Sequence, residues 1–136
     1  MVKQYEIKLP VLGRGFHLID HIIKGEIKDL PQSGLVNIFL QHTSAALALN
    51  ENADPTVRMD FESFVSRMIP DDPSLFKHTL EGPDDMPAHL KSSLFGQSVT
   101  IPVTNGELKT GTWQGIYLCE FRDHPQSRKI TVSVLS

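Results

Sequence analysis

Cysteine is almost missing from this chain. Cys119 stands alone in an apolar run, so no intrachain disulfide can form and cysteine usage gives no sign of an oxidising compartment. Long apolar runs are missing too: none approaches the ~18 residues of a membrane span. The opening MVKQYEIKLP alternates apolar and polar residues instead of placing a basic region before an apolar core, so it does not read as a signal peptide. Positive charge is scarce, with 13 Lys and Arg against 16 Asp and Glu, a net charge of −3, and no basic cluster longer than Arg128-Lys129. That excludes a general nucleic-acid binder, because phosphate affinity depends on clustered cations. HExxH, paired CxxC and glycine-rich phosphate-loop signatures are also absent, so any metal or phosphate chemistry must be assembled from residues distant in sequence.

What is present suits one soluble, cytoplasmic domain. The chain has 136 residues, 40% hydrophobic and 21% charged, enough to bury an ordinary core. Alternation over Val2 to Leu9 predicts a half-buried strand, Gly13 and Gly15 mark a turn, and FHLI from Phe16 begins a second strand. Asp20 is placed to cap a helix running to about Leu30, with Ile22, Ile23, Ile27 and Leu30 on one side. LVNIFLQ from Leu35 is apolar enough for a strand covered on both faces, and AALALN from Ala45 returns as a strand paired with it across the HTS turn. Asp54-Pro55 then supplies a cap and a first-turn proline for a helix carrying Val57, Phe61, Phe64, Val65 and Met68 up to Pro70. Pro87 opens a further helix that Gly96 ends. The last third reads as β: Ser98–Val103, the hairpin turn Asn105-Gly106, Glu107–Thr112, Ile116–Arg122 and Arg128–Leu135. Seven or eight strands in short or antiparallel connections with three helices indicate a single compact α+β domain of layered, mostly antiparallel or mixed sheets.

Two polar blocks concentrate ionisable groups. EGPDDMPAHLK, from Glu81 to Lys91, holds Glu81, Asp84 and Asp85 with His89 and Lys91, and His78 lies just upstream. Three neighbouring acids repel one another unless a cation or donors offset them. HTSAALALNENADP, from His42 to Pro55, has the same character at the end of an apolar run. The two blocks read as halves of one site, although two solvated loops would carry the same turn residues. His42, His78 and His89 are candidate metal ligands, since three imidazoles with an open fourth position form a catalytic arrangement. Thr43, Ser44, Lys91 and Arg122 offer hydroxyl, ammonium and guanidinium donors of the kind that hold phosphate. Asp54 is explained as a cap, whereas Asp60 falls near the boundary of the apolar face, where a buried carboxylate needs a partner.

Three segments, HTSAALALNENADPTVRMD, EGPDDMPAHLKSSLFGQSVTIPV and GTWQGIYLCEFRDHPQSRKI, resemble in order and spacing the signatures of the YjbQ family, labelled secondary thiamine-phosphate synthases. The resemblance spans the whole chain. It implies a compact α+β fold, a homotrimer, and a cleft of histidines and acids with weak thiamine-phosphate synthase activity. That activity joins an aminopyrimidine-methyl diphosphate to a thiazole phosphate and releases pyrophosphate. A divalent metal, zinc or magnesium, on the histidines would take the pyrophosphate together with Lys91 and Arg122. Glu51, Asp60, Glu81, Asp84 and Asp85 would bind a second cation or the aminopyrimidine nitrogens, while Trp113 stacks on a ring and Gln114 hydrogen-bonds it. Dedicated synthases built on a (β/α)8 barrel need ~200 residues or more, so the expected activity is slow. A metal-dependent phosphoester hydrolase and a non-catalytic trimer that binds a phosphorylated metabolite are the alternatives.

Overall fold

The computed structural model describes residues 1–136 and contains eight strands and three α-helices. The strands are β1 (Val2–Lys8), β2 (Gly15–Leu18), β3 (Ser33–Leu40), β4 (Ala45–Glu51), β5 (Ser98–Thr104), β6 (Glu107–Leu108), β7 (Gln114–Glu120) and β8 (Lys129–Leu135). The helices are α1 (Asp20–Glu26), α2 (Pro55–Met68) and α3 (Asp85–Phe95), and a single 3-10 turn covers Pro73–Leu75. All pairing is antiparallel, in a five-stranded sheet of order β1-β8-β3-β5-β6 and a three-stranded sheet of order β2-β7-β4. No helix is long and apolar enough to cross a membrane.

The sheets and helices stack in layers, and the period-2 alternation of β7 shows how. Ile116 and Leu118 join the core between the two sheets, with Val36, Ile38 and Leu40 of β3, Ile130 and Val132 of β8, and Ile23 of α1. Tyr117 and Cys119, and Phe121 just beyond β7, point the other way, into a second core with Phe16, Val65 and Ala88 beneath α2 and α3. β7 is thus buried on both faces. Phe16 lies at the centre of the second core, its ring 5.2 to 6.2 Å from those of Phe61, Phe95, Tyr117 and Phe121.

Several expectations change. β3 is covered on one face only, because Leu35 and Phe39 point outward, 44% and 46% exposed. β3 and β4 do not pair. They belong to different sheets, and His42-Thr43-Ser44 is the crossing between layers. α1 stops at Glu26, just past Gly25, and Asp20 sits in its first turn without capping it, its Oδ1 accepting the Ile116 N–H at 2.8 Å. α3 begins at Asp85, two residues before Pro87, which is tolerated inside a first turn where N–H groups have no helical partner. α2 has the expected cap, Asp54 Oδ1 accepting from Thr56 N at 2.9 Å. Asn105 and Gly106 take φ of 54° and 77°, as a two-residue hairpin turn requires, although the returning strand β6 is only two residues long.

Candidate functional site

The first turns of α3 carry a cluster of ionisable side chains. Starting the helix at Asp85 puts Asp85 and His89 on one face, one turn apart. The loop before α3 brings His78 to the same point. Asp85 Oδ2 lies 2.6 Å from His78 Nε2 and 3.1 Å from His89 Nε2, and no other three histidine, cysteine or acid side chains bring their ligand atoms within 4.8 Å of one another. Asp85 is 1% exposed.

Its other oxygen, Oδ1, accepts from Arg122 Nη1. The same guanidinium donates from Nε to Asp84 Oδ2 at 2.8 Å and from Nη2 to the Glu81 carbonyl at 3.0 Å. Asp84 Oδ2 also accepts the Asp123 N–H at 2.9 Å. Burial disfavours ionising either acid, but the bonds to His78 and the charge of Arg122 outweigh it for Asp85, and the Asp123 amide and Arg122 outweigh it for Asp84. Both carboxyls are held below their usual range. Arg122, though itself partly desolvated, is held more firmly protonated by the same acids.

The tautomer of His89 follows from its other nitrogen. Nδ1 lies 2.8 Å from the carbonyl oxygen of Thr43, which only accepts, so Nδ1 carries a proton. In a neutral ring, Nε2 then presents a lone pair to the carboxylate oxygen of Asp85. Two acceptors at 3.1 Å need a proton or a cation between them. Two imidazoles and a carboxylate suit zinc better than magnesium. A carbonyl partner on the remote nitrogen is what orients a metal-binding histidine.

His42 stands apart from this trio. Its Nε2 accepts the backbone N–H of Lys129 at 2.9 Å, at the end of the β3–β8 ladder. Burial, followed by the nearby Arg128 guanidinium, pushes its imidazole below the usual range. It shares a cleft of about 440 Å³ with His89, beside Thr43, Ser93 and Gln97.

The remaining residues singled out in the sequence scatter. Ser44 is buried, and its carbonyl accepts from Arg128 Nη2 at 3.3 Å. Lys91 points away from His89, 1% exposed, with Nζ 5.6 Å from the centre of the Phe121 ring. Burial and then Arg14 lower its proton affinity. Glu51 ends β4 at its far end from Ala45, and its Oε2 accepts from Ala53 N and Asp54 N at 3.2 and 2.8 Å. Trp113 and Gln114 line a separate hollow with Glu51. Asp60 is exposed on α2.

Two polar networks escape sequence reasoning. Arg128 donates from Nε and Nη2 to Glu120 in a fully buried pair beneath the 42–44 crossing. Arg14 binds Glu62, Asp71 and Asp123 at 3.1, 2.6 and 2.8 Å, tying the loop before β2 to α2 and to the segment after β7. Glu120 inside an apolar strand signals the first network, since a buried charge demands a partner. The second has no comparable signal.

Residues 5–136 match the family described as UPF0047 protein YjbQ-like. The chain is 48% identical over 133 residues to UPF0047 protein YjbQ of Escherichia coli O157:H7, covering 96% of each, and 38% identical to a UPF0047 protein of Methanocaldococcus jannaschii, covering 99% of this chain and 94% of that one. Among solved structures, a conserved hypothetical protein from Thermus thermophilus superposes with a TM-score of 0.85 at 33% identity, covering 96% of this chain and 99% of that one. A protein of unknown function from Sulfolobus solfataricus gives 0.83 at 29% identity, covering 100% and 98%. With the fold shared end to end and the sequence matched over nearly its whole length, this chain belongs to the UPF0047 family of YjbQ-like proteins.

Proposed function

We propose that this protein is a metal-dependent enzyme of phosphorylated small molecules, with His78, Asp85 and His89 holding a divalent cation, zinc in preference to magnesium. The observation that carries this reading is the convergence of His78 Nε2, His89 Nε2 and Asp85 Oδ2 on one point, with His89 fixed by the Thr43 carbonyl and Asp85 by Arg122. A cation bound there supplies Lewis acidity toward a phosphoryl or diphosphate oxygen. The chain's own residues do the rest: Thr43 fixes the His89 tautomer, Arg122 keeps Asp85 ionised and aimed, and Asp84 anchors Arg122. Loss of pyrophosphate in a slow transfer of the thiamine-phosphate synthase type is the reaction the YjbQ resemblance suggests. A homotrimer is proposed with it, supported by outward apolar side chains on the five-stranded sheet (Leu35, Phe39), on α2 (Met59, Phe64, Met68) and at Trp113.

A specific observation favours hydrolysis as the second reading. Arg122 is engaged by two acids and a carbonyl, and Lys91 is buried under Phe121, so neither is free to neutralise departing pyrophosphate within this chain. Zinc titration with metal analysis tests the shared premise: wild type binds one ion per chain, and His89→Ala and Asp85→Asn lose it. Equal metal content in all three sinks the proposal. Following thiamine phosphate formation and phosphoester hydrolysis together in wild type and Asp85→Asn separates the two reactions. Light scattering at micromolar concentration gives a mass three times the chain's if the trimer is right.

A further inference from the structure

Apart from Phe39 and Leu40, the cleft beside the trio is lined by polar side chains that carry no carboxylate, ammonium or guanidinium. Gln41, His42, Thr43, Ser93 and Gln97 face it with His89, and no Asp, Glu, Lys or Arg does. The amide of Gln97 is spent on Ser92, to which Nε2 donates twice, at 3.0 Å and 2.8 Å. Gln41 uses only its Oε1, which accepts from Thr131, leaving its NH2 free. The hydroxyls of Thr43 and Ser93 make no hydrogen bond within the chain, for Thr43 contributes only its carbonyl to His89.

His42 supplies the remaining donor, and the sheet decides which nitrogen bears it. Gln41 N donates to Lys129 O at 3.2 Å, continuing the β3–β8 ladder one residue past Leu40. The reciprocal bond is then made by a side chain: the Lys129 N–H goes to His42 Nε2 at 2.9 Å, the imidazole standing in for a backbone carbonyl. A nitrogen that accepts from an amide keeps its lone pair occupied, so the proton of the neutral ring sits on Nδ1. Nε2 has no lone pair left for a metal, and Nδ1 offers an N–H.

We infer that this cleft is the oxyanion subsite of the centre, and that His42 serves it as a fixed neutral donor through Nδ1–H, together with the hydroxyls of Thr43 and Ser93 and the amide of Gln41. The ligand class is a phosphoryl group, whose charged oxygens only accept hydrogen bonds and which four uncommitted donors, with no carboxylate among them, can receive. The inference rests on the proposed reading for the ligand being phosphorylated, and it assigns His42 a role other than metal ligation.

The test uses histidine-labelled protein at pH 7 and long-range proton–nitrogen NMR, metal-free, then with one equivalent of zinc, and separately with inorganic phosphate. The expected result is a His42 proton on Nδ1 in every state, no coordination shift at His42 on adding zinc, and a shift of its Nδ1–H on adding phosphate. Calorimetry should show phosphate affinity falling about tenfold, the loss of one hydrogen bond to a charged group, in both His42→Asn and Ser93→Ala. Zinc stoichiometry should be unchanged in both. Ser93 is exposed, so its variant folds even if His42→Asn, which must find another acceptor for Lys129, does not. A proton on Nε2, a zinc-induced shift at His42, or unaltered phosphate affinity in Ser93→Ala overturns the inference. Failure of zinc to bind anywhere would refute the metal reading alone and leave the tautomer and phosphate results to stand.

Discussion

Replacing Arg122 with alanine removes the one group that reconciles two buried carboxylates. Asp84 and Asp85 are 4% and 1% exposed, and without the guanidinium Asp85 keeps only its two imidazole contacts while Asp84 keeps one backbone amide. Breaking a buried ion pair by deleting one partner costs about 3–5 kcal/mol. The Arg122 side chain is 21% exposed, so water screens part of that, and about 2–3 kcal/mol is the expected loss at pH 7. For a domain of this size that lowers the melting temperature by roughly 6–12 °C. The pH dependence is the sharper part. Both acids titrate below their unfolded values, so the stability they contribute is present above pH about 4 and disappears as pH falls through their folded values. Arg122 is a cause of both shifts, so the gap between wild type and Arg122→Ala should be widest near neutrality and close toward acid. Urea unfolding of both proteins at one fixed protein concentration, from pH 7 down to pH 3, measures it. A gap that is negligible at pH 7, or that stays constant through the acid range, refutes the reasoning.

Other perturbations are expected to be equally specific. Arg128→Met strands Glu120, which is 0% exposed, and should cost about 3–5 kcal/mol, whereas joint replacement of both by apolar residues should cost much less; denaturant melts of the three variants decide it. Gly34→Ala would drive a Cβ into the Leu135 carbonyl oxygen, well inside van der Waals contact, so it should break the β3–β8 pairing at that end, seen as lost amide protection in β8. Cys119 should resist thiol reagents in the native protein and react on unfolding, because burial pushes its thiol far above the usual range. Zinc at a hundredfold excess over its dissociation constant should stabilise wild type by about 2.7 kcal/mol and leave Asp85→Asn unmoved in a thermal scan.

The parts of the fold that rest on local signals were legible in the sequence. The Asp54-Pro55 start of α2, the Asn105-Gly106 turn and the alternating strands each depend on residues within a few positions of one another. The sheet assignment of β3 and β4 was not, because an apolar run reads alike whether its neighbour pairs with it or crosses to another layer. At the site, Pro87 was a stronger start signal than the helix obeys. Starting α3 there leaves Asp85 outside it and hides the one-turn relation of Asp85 to His89 that builds the cluster. Arg122 and Lys91 looked like free cations because their surroundings come from elsewhere: Asp84 and Asp85 lie 38 and 37 residues from Arg122, and Phe121 lies far along the chain from Lys91.

The two-faced burial of β7 bears on how this sequence can drift. Its neighbours β2 and β4 hold it on both edges, while Ile116 and Leu118 serve one core and Tyr117 and Cys119 the other. Inserting or deleting one residue there would exchange the two sets, sending the Tyr117 ring between the sheets and turning Glu120 away from Arg128. A strand with one wet face tolerates such a slip by exposing what it should bury; β7 has no wet face to use. Length variation among descendants of this chain should therefore collect in the turns on either side of β7, and the spacing from Gln114 to Glu120 should stay fixed even where its residues change.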